Sequence, residues 1–148
     1  MMAQRMTARH WLTGCGLVFA ILLTGRLVAG TAVGTLLKQI GTQRGVTVVI
    51  GLPSGDPNVL IGLVNSSELT VYFQSSDPEH VAAVRAAAES AGLLGRRLFV
   101  DAGDPRTIQM VDNLADAILV APSSADRVTD AEVLRVLAPR ATAFVGAR

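Results

Sequence analysis

The stretch Val46-Thr47-Val48-Val49-Ile50-Gly51-Leu52-Pro53-Ser54-Gly55-Asp56-Pro57 decides the fold. An apolar, β-branched run stops abruptly in a turn of Gly, Pro, Ser and Asp. β-Branched residues favour a pleated strand, and glycine and proline end one. The first strand of an open α/β sheet ends in this way, at a turn whose backbone can approach a ligand.

Helix and strand signals alternate outward from that stretch. Upstream, Val33, Leu36, Leu37 and Ile40 fall at helical spacing within residues 31–43, before Gly41 and Gly45 break the pattern. Downstream, Asn58 is expected to cap a short helix through Val59, Leu60, Leu63 and Val64. Leu69 to Phe73 reads as the next strand. Asp77-Pro78-Glu79 opens a helix with a carboxylate at the cap, proline at the first position and an acid in the first turn. Its apolar stripe is Val81, Val84, Ala88 and Ala91, and Gly92-Leu93 supplies a Schellman-type stop. Strands are expected at Leu98–Val100, Ala117–Ala121 and Ala141–Val145. Thr129 and Glu132 form a capping box for a helix that carries Val133, Leu134 and Leu137 and closes at Pro139. The expected fold class is α/β, a doubly wound, mainly parallel five-stranded sheet with helices on both faces.

Composition agrees with that class. Half of the 148 residues are apolar but only 4% are aromatic, so Val, Leu, Ile and Ala must build the core. Such a core suits parallel strands buried on both faces. A formal net charge of +1 gives no electrostatic footprint for nucleic acid. The single cysteine, Cys15, lies outside the body, so the body has no internal disulfide.

Residues 1–30 read as a separate segment. Arg5 and Arg9 precede an apolar run from Trp11 to Leu23, and Val28 and Gly30 suit the small positions of a cleavage site. The expectation is a secretory signal and an exported body over residues 31–148. The alternative is a short membrane anchor, although the run is shorter than the roughly 20 residues that span a bilayer.

Several chemistries are excluded by residue content. The turn does not lead into Gly-Lys-Ser/Thr, and Lys38 is the only lysine, so no phosphate-cradling loop exists. His80 is the only histidine of the body. It cannot anchor a zinc constellation or a Ser-His-Asp arrangement, and no catalytic residue is assigned.

The five strands and their turns resemble the class I S-adenosylmethionine-dependent methyltransferase fold, without its terminal hairpin. Asp112-Asn113-Leu114-Ala115-Asp116-Ala117-Ile118-Leu119-Val120 is similar to the family's approach to its fourth strand, and residues 129–145 to its following helix and fifth strand. A closer parallel is the methyltransferase-like domain that precedes quinoprotein-type β-propellers in exported proteins. There a Leu-Gly-Cys-Gly-Asp-Gly turn stands where this chain has Leu52-Pro53-Ser54-Gly55-Asp56-Pro57. The resemblance implies a cofactor site for S-adenosylmethionine at Gly51, Leu52, Ser54, Gly55, Asp56, Ser75, Asp77, Asp101 and Ala102, and a β-propeller as partner.

The departures from the pattern concern that site. Pro53 and Pro57 stand where glycine is expected, and proline fixes φ and lacks an N–H. Gly51 replaces the family's acidic residue, and Gln74, Ser75 and Ser76 occupy the end of the second strand, where an acid normally holds the ribose. Asp77 is fully explained as a helix cap. Asp101 and Asp104 are explained by a solvated turn. The expectation is a methyltransferase-like domain with a degenerate cofactor site. The alternative is a non-catalytic interaction domain that docks on a partner.

Overall fold

A computed structural model describes residues 30–146 of the chain. The expected signal segment therefore lies outside the described residues, except for Gly30. Helix α1 covers residues 30–40 and ends at Gly41, which adopts φ +72°. The other elements, in chain order, are β1 (Arg44–Ile50), α2 (Asn58–Asn65), β2 (Glu68–Ser75), α3 (Pro78–Ser90), β3 (Leu98–Ala102), β4 (Ala115–Val120), α4 (Asp130–Val136) and β5 (Leu137–Val145). Short 3-10 turns follow β1 at Pro53–Gly55 and β4 at Pro122–Ser124.

All five strands are parallel, in the order β3-β2-β1-β4-β5. The sheet is thus the expected one. Its centre is the apolar half of the opening stretch, with Val48 paired to both Tyr72 and Ile118. Alternation along the strands splits the core into two layers. Val49, Phe73, Val100 and Leu119 face α2 and α3, with Ile40 at the end of α1. Val48, Ile50, Tyr72, Ile118 and Val120 face Val133 and Val136 of α4. Phe73, Ile50 and Leu60 are fully buried, and each such side chain contributes roughly 1.5–3 kcal/mol of transfer free energy.

Several local expectations are met. The Asp77 carboxylate accepts the Glu79 N–H at 2.9 Å, as a cap should. At the other end of α3, Leu93 donates to Ala88 O at 2.8 Å and Gly92 to Glu89 O at 2.9 Å, a Schellman closure with Gly92 at φ +66°.

Others need correction. No helix joins β3 to β4: residues 103–114 cross as turns and coil, and Ile108 and Met110 fill the layer that a helix would otherwise occupy. Gly103, Pro105 and Asn113 (φ 56°) break any helical register there. Asn58 is the first residue of α2, not its cap, and its side chain turns back to Asp56 Oδ1 at 3.0 Å. Ala91 is exposed because it lies in the closing turn of α3, past the buried stripe. Helix α4 stops at Val136, ahead of Pro139, and β5 starts at once. Two turns bury only Val133 and Val136, leaving Leu134 69% exposed. Only half of the expected capping box forms. Thr129 Oγ1 accepts the Glu132 N–H at 3.3 Å, but the Glu132 carboxylate accepts from Ile108 N at 2.8 Å. Among the described residues, no helix is long and apolar enough to cross a membrane.

Candidate functional site

Parallel strands bring the expected site residues to one edge of the sheet. Ile50 pairs with Gln74, Gln74 with Asp101, and Ser75 with Ala102. Three bonds extend the ladder beyond the strands: Gly51 N to Gln74 O at 2.8 Å, Gly103 N to Ser75 O at 3.0 Å, and Ala121 N to Ile50 O at 2.8 Å. Gly51–Asp56, Ser75, Asp77, Asp101 and Ala102 therefore lie along the carboxyl edge, where open α/β sheets bind ligands.

Most of these groups already have partners. Gly51 adopts φ +75°, and a Cβ there would lie 2.4 Å from Ser124 Oγ. The glycine is thus required by contact with the turn after β4. The Leu52 side chain belongs to the α2–α3 layer of the core. Asp56 Oδ1 accepts from Asn58 N at 2.9 Å and closes the entry to α2. Ser75 Oγ accepts the Asp77 N–H at 3.1 Å, and Asp77 itself caps α3, with His80 3.6 Å from its second oxygen. Ser54 and Gly55 remain open in the turn, both left-handed at φ 59° and 67°. Asp101 and Ala102 are exposed on the edge strand. Beside Asp101, the Tyr72 hydroxyl is buried with no hydrogen-bond partner among the described residues. Burial first, and the Asp101 carboxylate second, raise its pKa far above the ordinary phenol value.

Three residues not among the expected site positions, Gln74, Arg127 and Arg135, hold the loops around this edge. Gln74, fully buried at the end of β2, donates to Asp104 O at 3.0 Å and Thr107 O at 2.9 Å. It accepts from Gln109 N at 2.8 Å. A Cβ on Gly103 would lie 2.8 Å from its Nε2. Its side chain thus fastens residues 103–109 over the end of β2. Arg127, from the segment after β4, donates to Ser76 Oγ at 2.8 Å and to Asp104 Oδ1 at 3.1 Å. It thereby bridges the ends of β2 and β3. The Arg106 backbone N–H first, then the Arg127 and Arg106 guanidinium groups, hold the Asp104 carboxyl below its usual pKa, outweighing desolvation. On α4, Arg135 donates to Ile108 O at 2.8 Å, Met110 O at 2.9 Å and Asp112 Oδ1 at 2.6 Å. It also pairs with Glu132, whose carboxyl pKa is lowered chiefly by that bond. The helix-less connection is therefore clamped from both sides.

An open cleft of about 710 Å³ adjoins this edge. It lies between α1, the Pro53–Ser54 turn and the ends of β4 and β5, where Leu36, Gln39, Leu119, Pro122 and Phe144 line it. It touches Ser54 but not Gly51, Ser75, Asp77, Asp101 or Ala102.

The strand order, the glycine-bearing turn after β1 and the edge beneath it define a Rossmann-like fold of the class I S-adenosylmethionine-dependent methyltransferase type. Solved structures share it. One is a Methanococcus maripaludis protein described as an S-adenosyl-L-methionine-dependent methyltransferase. It is 17% identical with a TM-score of 0.66, over 97% of this chain and 68% of that one. A SAM-dependent methyltransferase from Aquifex aeolicus is 18% identical with a TM-score of 0.62, over 76% of this chain and 62% of that one. Geranyl diphosphate methyltransferase, in complex with SAM, is 17% identical with a TM-score of 0.69, over 89% of this chain and 54% of that one. At such identities the likeness establishes the fold. No protein-family model and no curated sequence matches the chain.

Proposed function

We propose that this is a methyltransferase-like domain whose cofactor edge is degenerate, so that it neither binds S-adenosylmethionine with useful affinity nor transfers a methyl group. The observation that carries this reading is the use of the edge by the chain itself. S-Adenosylmethionine presents a ribose diol, an adenine amine, a sulfonium and an amino-acid head, each of which needs a free polar partner. Here Asp56, Ser75 and Asp77 close turns and caps, and Gln74 and Arg127 bind the neighbouring loops. Pro53 and Pro57 present no N–H. Ser54, Gly55 and Asp101 are too few to hold the cofactor. Titration of the purified protein with S-adenosylmethionine at millimolar concentration should release no binding heat. Saturable heat with a dissociation constant below about 100 µM, roughly −5.5 kcal/mol of binding free energy, would overturn the reading.

The accompanying role is that of an interaction domain in an exported protein. β5 favours it: this edge strand leaves Phe144 39% and Val145 48% exposed, beside a row of backbone groups that no other described strand pairs. A β-propeller, the partner implied by the sequence resemblance, would cover that edge. A propeller-coding region next to this gene supports the pairing, and an isolated gene counts against it.

A further inference from the structure

The α4 side of the sheet is unevenly covered. Val133 and Val136 pack on apolar side chains of β1 and β4, among them Ile118 and Val120. In β5, Ala143 pairs with Ile118 and Val145 with Val120, so both side chains turn to that same side. Both are nonetheless exposed. Helix α4 thus covers the centre of the sheet and not its β5 margin. Leu134, the most exposed of the large apolar side chains described, stands on the outer flank of α4. Apolar side chains left together on one surface mark a place where something docks.

Charge selects the occupant. Asp130, also exposed, lies one helical turn before Leu134 on the same flank. Arg140 follows beyond the end of the helix, exposed at φ 71° in β5. Among the described residues neither charge has an ion-pair partner. All 12 acidic residues of the chain fall within the described span, so the remaining residues add no side-chain carboxylate for Arg140. Glycine would hold that backbone without strain, whereas arginine keeps both the strain and an unanswered charge. The surface therefore carries a carboxylate, an apolar side chain and a guanidinium in that order. We propose that the occupant is a second copy of this chain, docked about a twofold axis at Leu134. The two α4 helices then run antiparallel, and each copy presents the same three groups in reverse. Asp130 of each copy faces Arg140 of the other, and the two Leu134 side chains meet between these pairs. Opposite charges so placed fix the orientation and disfavour other partners. The contact uses side chains on one face and leaves the hydrogen-bonding edge of β5 free. It does not depend on the fate of the cofactor edge.

Sedimentation velocity of the full chain, over a concentration series, tests the pairing. A reversible monomer–dimer equilibrium is expected. Asp130→Arg and Arg140→Asp should each raise the dimer dissociation constant at least tenfold, because each sets like charges face to face. Combined in one chain, they should bring it back to within about threefold of the wild-type value. Arg140→Gly should also weaken the dimer, but with a urea midpoint for the dilute monomer that is unchanged or higher. That result separates a lost contact from a folding defect. A monomer at every concentration or a dimer indifferent to both charge reversals overturns the proposal. So does a double reversal that associates no better than the single ones.

Discussion

Replacing Gln74 with leucine tests whether this side chain closes the edge of the sheet. The substitution removes three hydrogen bonds of 2.8–3.0 Å, to Asp104 O, Thr107 O and from Gln109 N, at a fully buried position. At about 1 kcal/mol net for each bond, the loss is about 3 kcal/mol. Leucine recovers roughly 1 kcal/mol by burying more apolar surface. Residues 103–109 can hydrate their abandoned groups by lifting away, which limits any further penalty. Gln74→Leu should therefore destabilise the protein by about 2 kcal/mol. With a urea dependence of about 1.5 kcal/mol per molar, the unfolding midpoint should fall by about 1.3 M. The Gln109 amide should exchange with solvent at least tenfold faster in the variant. A Gln74→Glu variant adds a pH test. A buried carboxyl facing two carbonyl groups has its folded pKa raised above the unfolded value near 4.3. Its stability relative to wild type is therefore greatest below about pH 4 and falls as pH rises through the folded value. A midpoint shift under about 0.3 M, with Gln109 still protected, refutes the claim that Gln74 fastens the loop.

Two further substitutions read other parts of the same edge. Tyr72 is the only tyrosine, so absorbance of tyrosinate reports it alone. Its raised folded pKa means that stability is retained below about pH 10 and lost as pH rises further. Tyr72→Phe should remove that alkaline loss and, by deleting an unpartnered hydroxyl, stabilise the protein at pH 7 by about 1 kcal/mol. Equal alkaline slopes in both proteins, measured by urea unfolding, would show that Tyr72 does not carry the effect. Gly51→Ala forces a side chain into left-handed backbone at φ +75° and against Ser124 Oγ, so it should cost about 2–4 kcal/mol. Adding Ser124→Ala should relieve the clash but not the backbone term, leaving about 1–2 kcal/mol. Full recovery in the double variant would place the whole cost in the clash.

What the sequence disclosed and what it concealed divide by range. The strand before Gly51, the Asp77-Pro78-Glu79 start and the Gly92-Leu93 stop depend on neighbours within a few residues. Their residue types therefore announce them. Leu134 misled because helical spacing says which residues share a stripe, but not that a helix of seven residues will bury only two of them. Glu132 misled in a similar way. A capping box competes with distant partners, and Ile108 N and Arg135 won its carboxylate. The Gln74 clamp joins residues more than 30 positions apart along the chain. No periodicity or turn rule links such groups. A glutamine in the place of the family's ribose-binding acid was visible, but the bonds it would make instead were not.

Long-range contacts also decide what such an edge does without a bound cofactor. Every parallel sheet of this order leaves loops, caps and backbone groups at its carboxyl edge, and buried polar groups must find partners. In an enzyme, bound cofactor supplies some of those partners. On the proposed reading, this chain supplies them internally, with Gln74 holding one loop, Arg127 joining Ser76 to Asp104, and Ser124 packed on Gly51. Loss of the cofactor site is then a replacement of contacts and not merely a deletion of motif residues. Replacing Pro53 and Pro57 by glycine alone would open the turn but leave Gln74 and Arg127 in place. On the proposed reading, building an adenosyl site would require changes at the ends of β1, β2 and β4 together.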